Sequence, residues 1–147
     1  MTNIGVIGGA GYVGLVTGVG LAALGHKVVA QDIDQDRLEM LRAGKSTVYE
    51  DGLEPILREL IDRDQISFTE DQGETVSKSD VLFIAVGTPS LDSGAADLSA
   101  VISVAEKLRD EISEYTVVVV KSTVPVGTVN VVVDILSQKL TEGEDFD

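Results

Sequence analysis

Short unbroken apolar runs alternate along the chain with longer stretches whose apolar residues recur every three or four positions. NIGVIG (Asn3–Gly8) reads as a buried strand, YVGLVTGVGLAALG as a helix closed by Gly25, and HKVVAQD as a second strand ending at Asp32. DQDRLEMLRAG follows as a helix with Asp34 as its N-cap, Leu38, Met40 and Leu41 as its apolar stripe, and Gly44 closing it. In STVYEDGLEPILRELIDRD a loop leads into a helix that sets Leu53, Ile56, Leu57, Leu60 and Ile61 at helical spacing. QISFTED is a short third strand and DVLFIAVG a buried fourth. DLSAVISVAEKLRDEI is a helix capped by Asp97 or Ser99, and YTVVVVKS is a fifth buried strand. VGTVNVVVDILSQKL carries both signals: Val131 to Val133 favour a strand, while its length favours a helix starting near Thr128, the assignment taken.

Strands separated by helices, with near-continuous Val and Ile, predict a parallel α/β sheet covered by helices on both faces. Its first turn is rich in glycine: GGAGYVG, Gly8 to Gly14, follows the first strand and opens the first helix. Gly9, Gly11 and Gly14 form a G-x-G-x-x-G pattern in the strand-to-helix context it requires. In that reading Gly9 makes the tight turn, Gly11 lets the backbone approach a pyrophosphate, and Gly14 lets helix pack closely on strand. Gly8 is an extra glycine that leaves open which of Gly8 and Gly9 makes the turn. Asp32 ends the second strand about 20 residues on, where a carboxylate meets ribose hydroxyls and repels a 2′-phosphate. Together these predict a doubly wound sheet of the Rossmann type that takes NAD in preference to NADP. The plainer alternative is that the glycines only turn the chain and Asp32 only caps the next helix. Such sheets usually have six strands and five are visible here. The single domain spanning 1–147 is therefore expected to be a fragment of a longer protein, truncated before or at the sixth strand, with EGEDFD a frayed terminus.

Charge narrows the partners. Twenty-five acidic against 11 basic residues give a net charge of −14, with no cluster of Lys and Arg to hold nucleic acid. The acidity fits a solvated surface, a halophilic source or, least well, a basic partner. No apolar run approaches a membrane span, and no export signal opens the chain. Cysteine is absent, so these residues hold no disulfide, zinc-thiolate site or thiol nucleophile, in keeping with a cytoplasmic protein. No metal-ligand cluster is visible.

Two further loops, AVGTPS (Ala85–Ser90) and KSTVPVGT (Lys121–Thr128), follow the fourth and fifth strands, at the end of the sheet where ligands bind. With them the sequence resembles the N-terminal domain of the UDP-glucose/GDP-mannose dehydrogenase family, enzymes that oxidise a nucleotide sugar to its uronic acid. GAGYVGLVTG, LGHKV, DIDQDRLEMLRAG, VYEDGLEPIL, DVLFIAVGTPS, GAADLSAV and VVVVKSTVPVGT match in order over nearly the whole chain. Within the family the UDP-glucose 6-dehydrogenases are the most similar.

The resemblance implies that Gly9, Ala10, Gly11, Tyr12 and Val13 cradle the pyrophosphate, that Asp32 holds the ribose, and that Arg37 lies near it. Val86, Gly87 and Thr88 would line the cofactor groove. Thr123 would sit beside the nicotinamide and help position a catalytic water. Family members carry out two successive NAD-dependent oxidations through a cysteine-bound thiohemiacetal and thioester. Their catalytic cysteine, lysine, asparagine and glutamate match nothing before Asp147, so this chain is expected to bind NAD and be inactive alone. The resemblance further implies a nucleotide-sugar substrate held mainly by a C-terminal domain, and a homodimeric full-length enzyme. GDP-mannose and UDP-N-acetylhexosamine remain alternative substrates, and a non-catalytic NAD sensor an alternative role. One departure is Asp51, where the family usually has proline.

Other chemistry-bearing residues read as structural. His26, the only histidine, falls in the helix-to-strand turn away from the ligand end of the sheet. Tyr49 and Glu50 read as loop packing rather than ligand contacts, and Lys121 as a strand-end lysine rather than a phosphate ligand.

Overall fold

Five parallel strands form one sheet in the order β3-β2-β1-β4-β5. In the computed structural model, which describes all 147 residues, they are β1 (Asn3–Ile7), β2 (Lys27–Gln31), β3 (Ile66–Thr69), β4 (Val81–Ile84) and β5 (Val117–Val120). Helices α1 (Tyr12–Ala23), α2 (Gln35–Arg42), α3 (Leu53–Asp62), α4 (Gln72–Ser77), α5 (Ser99–Glu111) and α6 (Thr128–Leu136) connect or follow them. Leu15 and Val19 of α1, Leu38 and Leu41 of α2, and Leu57 of α3 pack on one face of the sheet. Val76 of α4, Val101 and Leu108 of α5, and Val132 and Leu136 of α6 belong to the core on the other. The chain thus winds outward from β1 along one face, returns, and winds outward again from β4. That reversal leaves a crevice between the carboxyl ends of β1 and β4. Ile7 pairs with both Gln31 and Ile84, so the loops after β1, β2 and β4 open side by side.

Local chemistry fixes most boundaries. Asp34 caps α2 by accepting from the Arg37 N–H at 3.1 Å, and Gly44 (φ +72°) closes it. Neither Asp97 nor Ser99 is the cap of α5: Leu98 is its N-cap and offers no side-chain cap, while the Asp97 carboxylate before it accepts from the Ser99 N–H at 2.9 Å. The VGTVNVVVDILSQKL segment is helical from Thr128, with Thr128, Val132 and Leu136 buried at helical spacing.

Four further expectations need correcting. Met40 and Ile56 are each 43% exposed, because the stripes of α2 and α3 are narrower than the apolar residues suggest. β5 is half-buried throughout, as befits the last full strand of the sheet. EGEDFD is not frayed. Phe146 is buried in the second core, and the Thr116 and Val118 N–H groups donate to the carbonyls of Asp145 and Asp147 at 3.0 and 2.7 Å. Lastly, α4 has no counterpart in the sequence reading. It is one turn and a half long, and its Asp71 cap and buried Thr75 and Val76 are too few to make a periodic signal.

Candidate cofactor site

Four glycines meet at the end of β1, and each does something different. Gly8 carries the positive φ (+84°), and a Cβ there would stand 2.7 Å from the Ala85 carbonyl oxygen. The tight turn is therefore Gly8's, not Gly9's. A Cβ on Gly9 would press into Ala30 of β2 at 2.7 Å, and one on Gly14 would overlap the Gly8 carbonyl. The N–H groups of Gly8 and Gly9 both donate to the Gln31 carbonyl, at 2.9 and 2.8 Å, which lashes the loop to β2. Gly11 differs. The nearest atom to its Cβ position is 3.6 Å away, so packing within the protein does not demand glycine there.

Gly11 is also the N-cap of α1. It offers no side-chain cap, and the first turn of the helix contains no acidic residue. The first-turn N–H groups are therefore available to an anion, with the positive end of the helix dipole behind them. Gly11 lines a cleft of about 390 Å³ together with Gly8, Asp32, Arg37, Val86 and Gly87. Five of these six were expected from the sequence, and Gly8 is the sixth.

Asp32 stands at the end of β2 with both carboxylate oxygens engaged. Oδ2 accepts from the Ala10 N–H at 2.9 Å and Oδ1 from the Asp34 N–H at 3.1 Å. One carboxylate therefore braces the glycine loop and the start of α2. Each oxygen keeps a further lone pair for an incoming hydroxyl. Arg37 lies along the same cleft, paired with Asp34 at 3.3 Å.

Thr88 and Thr123 come together from the loops after β4 and β5. The Thr88 hydroxyl donates to the Thr123 carbonyl at 2.7 Å, and the two hydroxyls are 3.2 Å apart. Buried Ser122 reinforces the junction by donating to the Val86 carbonyl at 2.7 Å. Ala10, Tyr12 and Val13 belong to the glycine loop and the start of α1 but do not line the cleft, and neither do Gly9, Gly14, Thr88 or Thr123.

Ile33, Gln72, Ala100, Ser103, Val104 and Lys107, none of them expected from the sequence, also line the cleft, with Ile7, Gln31 and Ala85 at the strand ends. Of the unexpected six, all but Ile33 come from α4 and α5. Helix residues reach the cleft only through the packing of the fold, and no local motif marks them.

A larger depression of about 530 Å³ lies over the Ser46–Gly52 loop. Its lining has Glu50, Asp51 and Glu54 and no cation, which disfavours phosphate. The loop itself straps the glycine turn, since the Thr47 hydroxyl donates to the Ala10 carbonyl at 2.8 Å. Tyr12 donates to Glu50, a contact that raises the Tyr12 pKa above its ordinary value. Neither residue packs into the loop: Glu50 is exposed and meets Tyr12 of α1, and Tyr49 is almost fully exposed.

The profile of the UDP-glucose/GDP-mannose dehydrogenase family, NAD binding domain, matches residues 2–147. The chain belongs to that family. It is 46% identical over 128 residues to a UDP-glucose 6-dehydrogenase of Pseudomonas aeruginosa, covering 87% of this chain and 28% of that protein. It is 41% identical over 143 residues to the UDP-glucose 6-dehydrogenase TuaD of Bacillus subtilis, covering 97% of this chain and 31% of that one. Among solved structures, a GDP-mannose dehydrogenase ternary complex from P. aeruginosa superposes with a TM-score of 0.93 at 38% identity. It covers 98% of this chain and 34% of that one. A UDP-glucose dehydrogenase from Pyrobaculum islandicum gives 0.88 at 40% identity, over 99% and 34%. The chain spans about a third or less of the length of each of these relatives. Its Rossmann-type sheet is the family's NAD-binding domain. No helix is long and apolar enough to cross a membrane.

Proposed function

We propose that this domain holds NAD for a nucleotide-sugar 6-dehydrogenase, with UDP-glucose as substrate and UDP-glucuronate as product. The observation that carries the cofactor part is Gly11. It is a glycine that internal packing does not require, and it lies on a cleft between an uncapped helix N-terminus and the Asp32 carboxylate. That is the surface a pyrophosphate and an adjoining ribose fit. Gly8, Gly9 and Gly14 shape the loop, and Gly11, Tyr12 and Val13 present backbone to the phosphates, while the Ala10 N–H braces the loop through Asp32. Asp32 takes the ribose hydroxyls, Arg37 flanks them, and Val86 and Gly87 line the groove. Bound NAD supplies a hydride acceptor. Thr88 and Thr123, joined through their hydroxyls, form the polar edge beyond β4 and β5. We assign Thr123 to positioning a water near the reacting carbon.

The choice of UDP-glucose rests on the names of the relatives, which are 41% and 46% identical and about three times as long. The nucleophile and most of the sugar-nucleotide contacts are proposed to lie in sequence like that by which those relatives are longer. A cytoplasmic, homodimeric full-length enzyme is part of the same reading. The net charge of −14 adds a halophilic setting, because concentrated salt screens the self-repulsion of such a surface.

Calorimetric titration tests the cofactor part. The chain binds NAD, binds NADP more weakly, and loses affinity for NAD in Asp32→Ala. Equal or tighter binding of NADP by the unaltered chain overturns the assignment of Asp32. These 147 residues contain no cysteine, so UDP-glucose oxidation by them alone overturns the proposed division of labour.

A further inference from the structure

The cleft has a polar floor that the phosphate and ribose contacts leave unused. From the reversal point outward, β1 ends at the glycine loop, β2 at Asp32, and β3 leads into Gln72 at the start of α4. The Gln31 side-chain amide donates to the Glu70 carbonyl at 3.1 Å, holding the β3 loop against the end of β2. A dinucleotide with its pyrophosphate at Gly11 and a ribose at Asp32 runs in this direction, so its base falls beside Gln72.

Gln72 is only 8% exposed and lines the cleft, and its Nε2 group has no hydrogen-bond partner. A buried amide N–H left unsatisfied is a rare feature that calls for a ligand or a water. The walls beside it are mixed, with Ser103 and Lys107 of α5 among apolar side chains. Ile33, 86% exposed, follows β2, and Ala100 and Val104 face the cleft from α5.

We propose that Gln72 reads the base of the bound dinucleotide, its amide N–H donating to a ring nitrogen of adenine held between Ile33 and α5. The ring nitrogens of adenine are acceptors without hydrogens, the complement of an amide donor. The proposal rests on the NAD reading above. The competing partner lies within the protein. Glu111 Oε2 is also buried and without a partner, and the Gln72 amide is close enough to pull the Glu111 carboxyl down.

Titration of the unaltered chain, Q72L and Q72E with NAD and with ADP-ribose decides between these, alongside the thermal midpoint of each ligand-free chain. Affinity is read well below that midpoint, so lost stability does not imitate lost binding. The expected result is a Kd for NAD raised about five- to tenfold in Q72L and at least as much in Q72E. ADP-ribose keeps the adenine and lacks the nicotinamide, and it shows the same factor. The ligand-free midpoint of Q72L is unchanged or raised, because an unpaired buried amide has been removed. An unchanged Kd for NAD in Q72L overturns base reading by Gln72, and a lowered midpoint with it assigns the residue to Glu111. A loss for NAD but not for ADP-ribose also overturns it, since the effect then lies at the nicotinamide. Failure of the unaltered chain to bind NAD overturns the cofactor reading itself, a result separate from these.

Discussion

Gly8 and Gly11 are three residues apart in one loop, and the structure gives them opposite reasons to be glycine. Gly8→Ala adds a Cβ at φ +84°, 2.7–2.8 Å from the Ala85 carbonyl and the Val86 nitrogen. Left-handed strain costs about 1–2 kcal/mol, and overpacking against backbone that cannot rotate away costs about 1–3 kcal/mol. The total is about 2–5 kcal/mol, which for a domain of this size lowers the thermal midpoint by about 5–15 °C. Gly11→Ala places its Cβ where nothing lies within 3.6 Å, at an extended φ of −80°. Stability there is unchanged or rises by about 0.4–1 kcal/mol, because alanine narrows the unfolded ensemble. The added methyl enters the space assigned to the pyrophosphate, and a cost of about 1.4 kcal/mol or more weakens NAD binding about tenfold or more. Differential scanning calorimetry and titration with NAD on the two variants read both effects. A Gly11→Ala chain that binds NAD like the unaltered chain refutes the proposed phosphate approach. A Gly8→Ala chain of unchanged midpoint refutes the assignment of the turn.

Three shorter predictions concern the rest of the molecule. Burial raises the Glu111 carboxyl above its ordinary value of 4.5, although Lys107 and Gln72 pull it down. The native state therefore binds more protons than the unfolded chain just above that value, and stability falls as pH rises through the window. The midpoint of Glu111→Gln relative to the unaltered chain should accordingly be higher at pH 7 than at pH 4, and an equal difference at both would contradict this. Phe146→Ala empties a position 1% exposed and costs about 3–5 kcal/mol in thermal unfolding, where a loose tail would cost nothing. Raising KCl into the molar range raises the midpoint, because exposed carboxylates repel one another less. A flat or falling response counts against halophily.

What the sequence disclosed and what it withheld divide along the range of the interactions. The strands, five of the six helices, Gly11, Asp32 and the Thr88 and Thr123 loops were legible, because each is written in consecutive residues or in one short motif. Gly8 was the exception within the motif. Which of two adjacent glycines takes the left-handed turn depends on the distance to Ala85, 77 residues away in the chain, and no local pattern records it. Gln72, Ser103 and Lys107 reach the cleft because α4 and α5 pack together on the face of the sheet opposite α1 to α3. They carry no glycine signature, and their neighbours in sequence are ordinary helix residues. Phe146 was misread for a similar reason: a lone aromatic among acids looks solvated until β5 and α6 supply the hydrophobic side of its surroundings. The phosphate half of a dinucleotide site, built mostly from backbone, is thus readable from one segment. The proposed base half draws on the loop after β2 and on α4 and α5, and a buried amide such as Gln72 is readable there only from the fold.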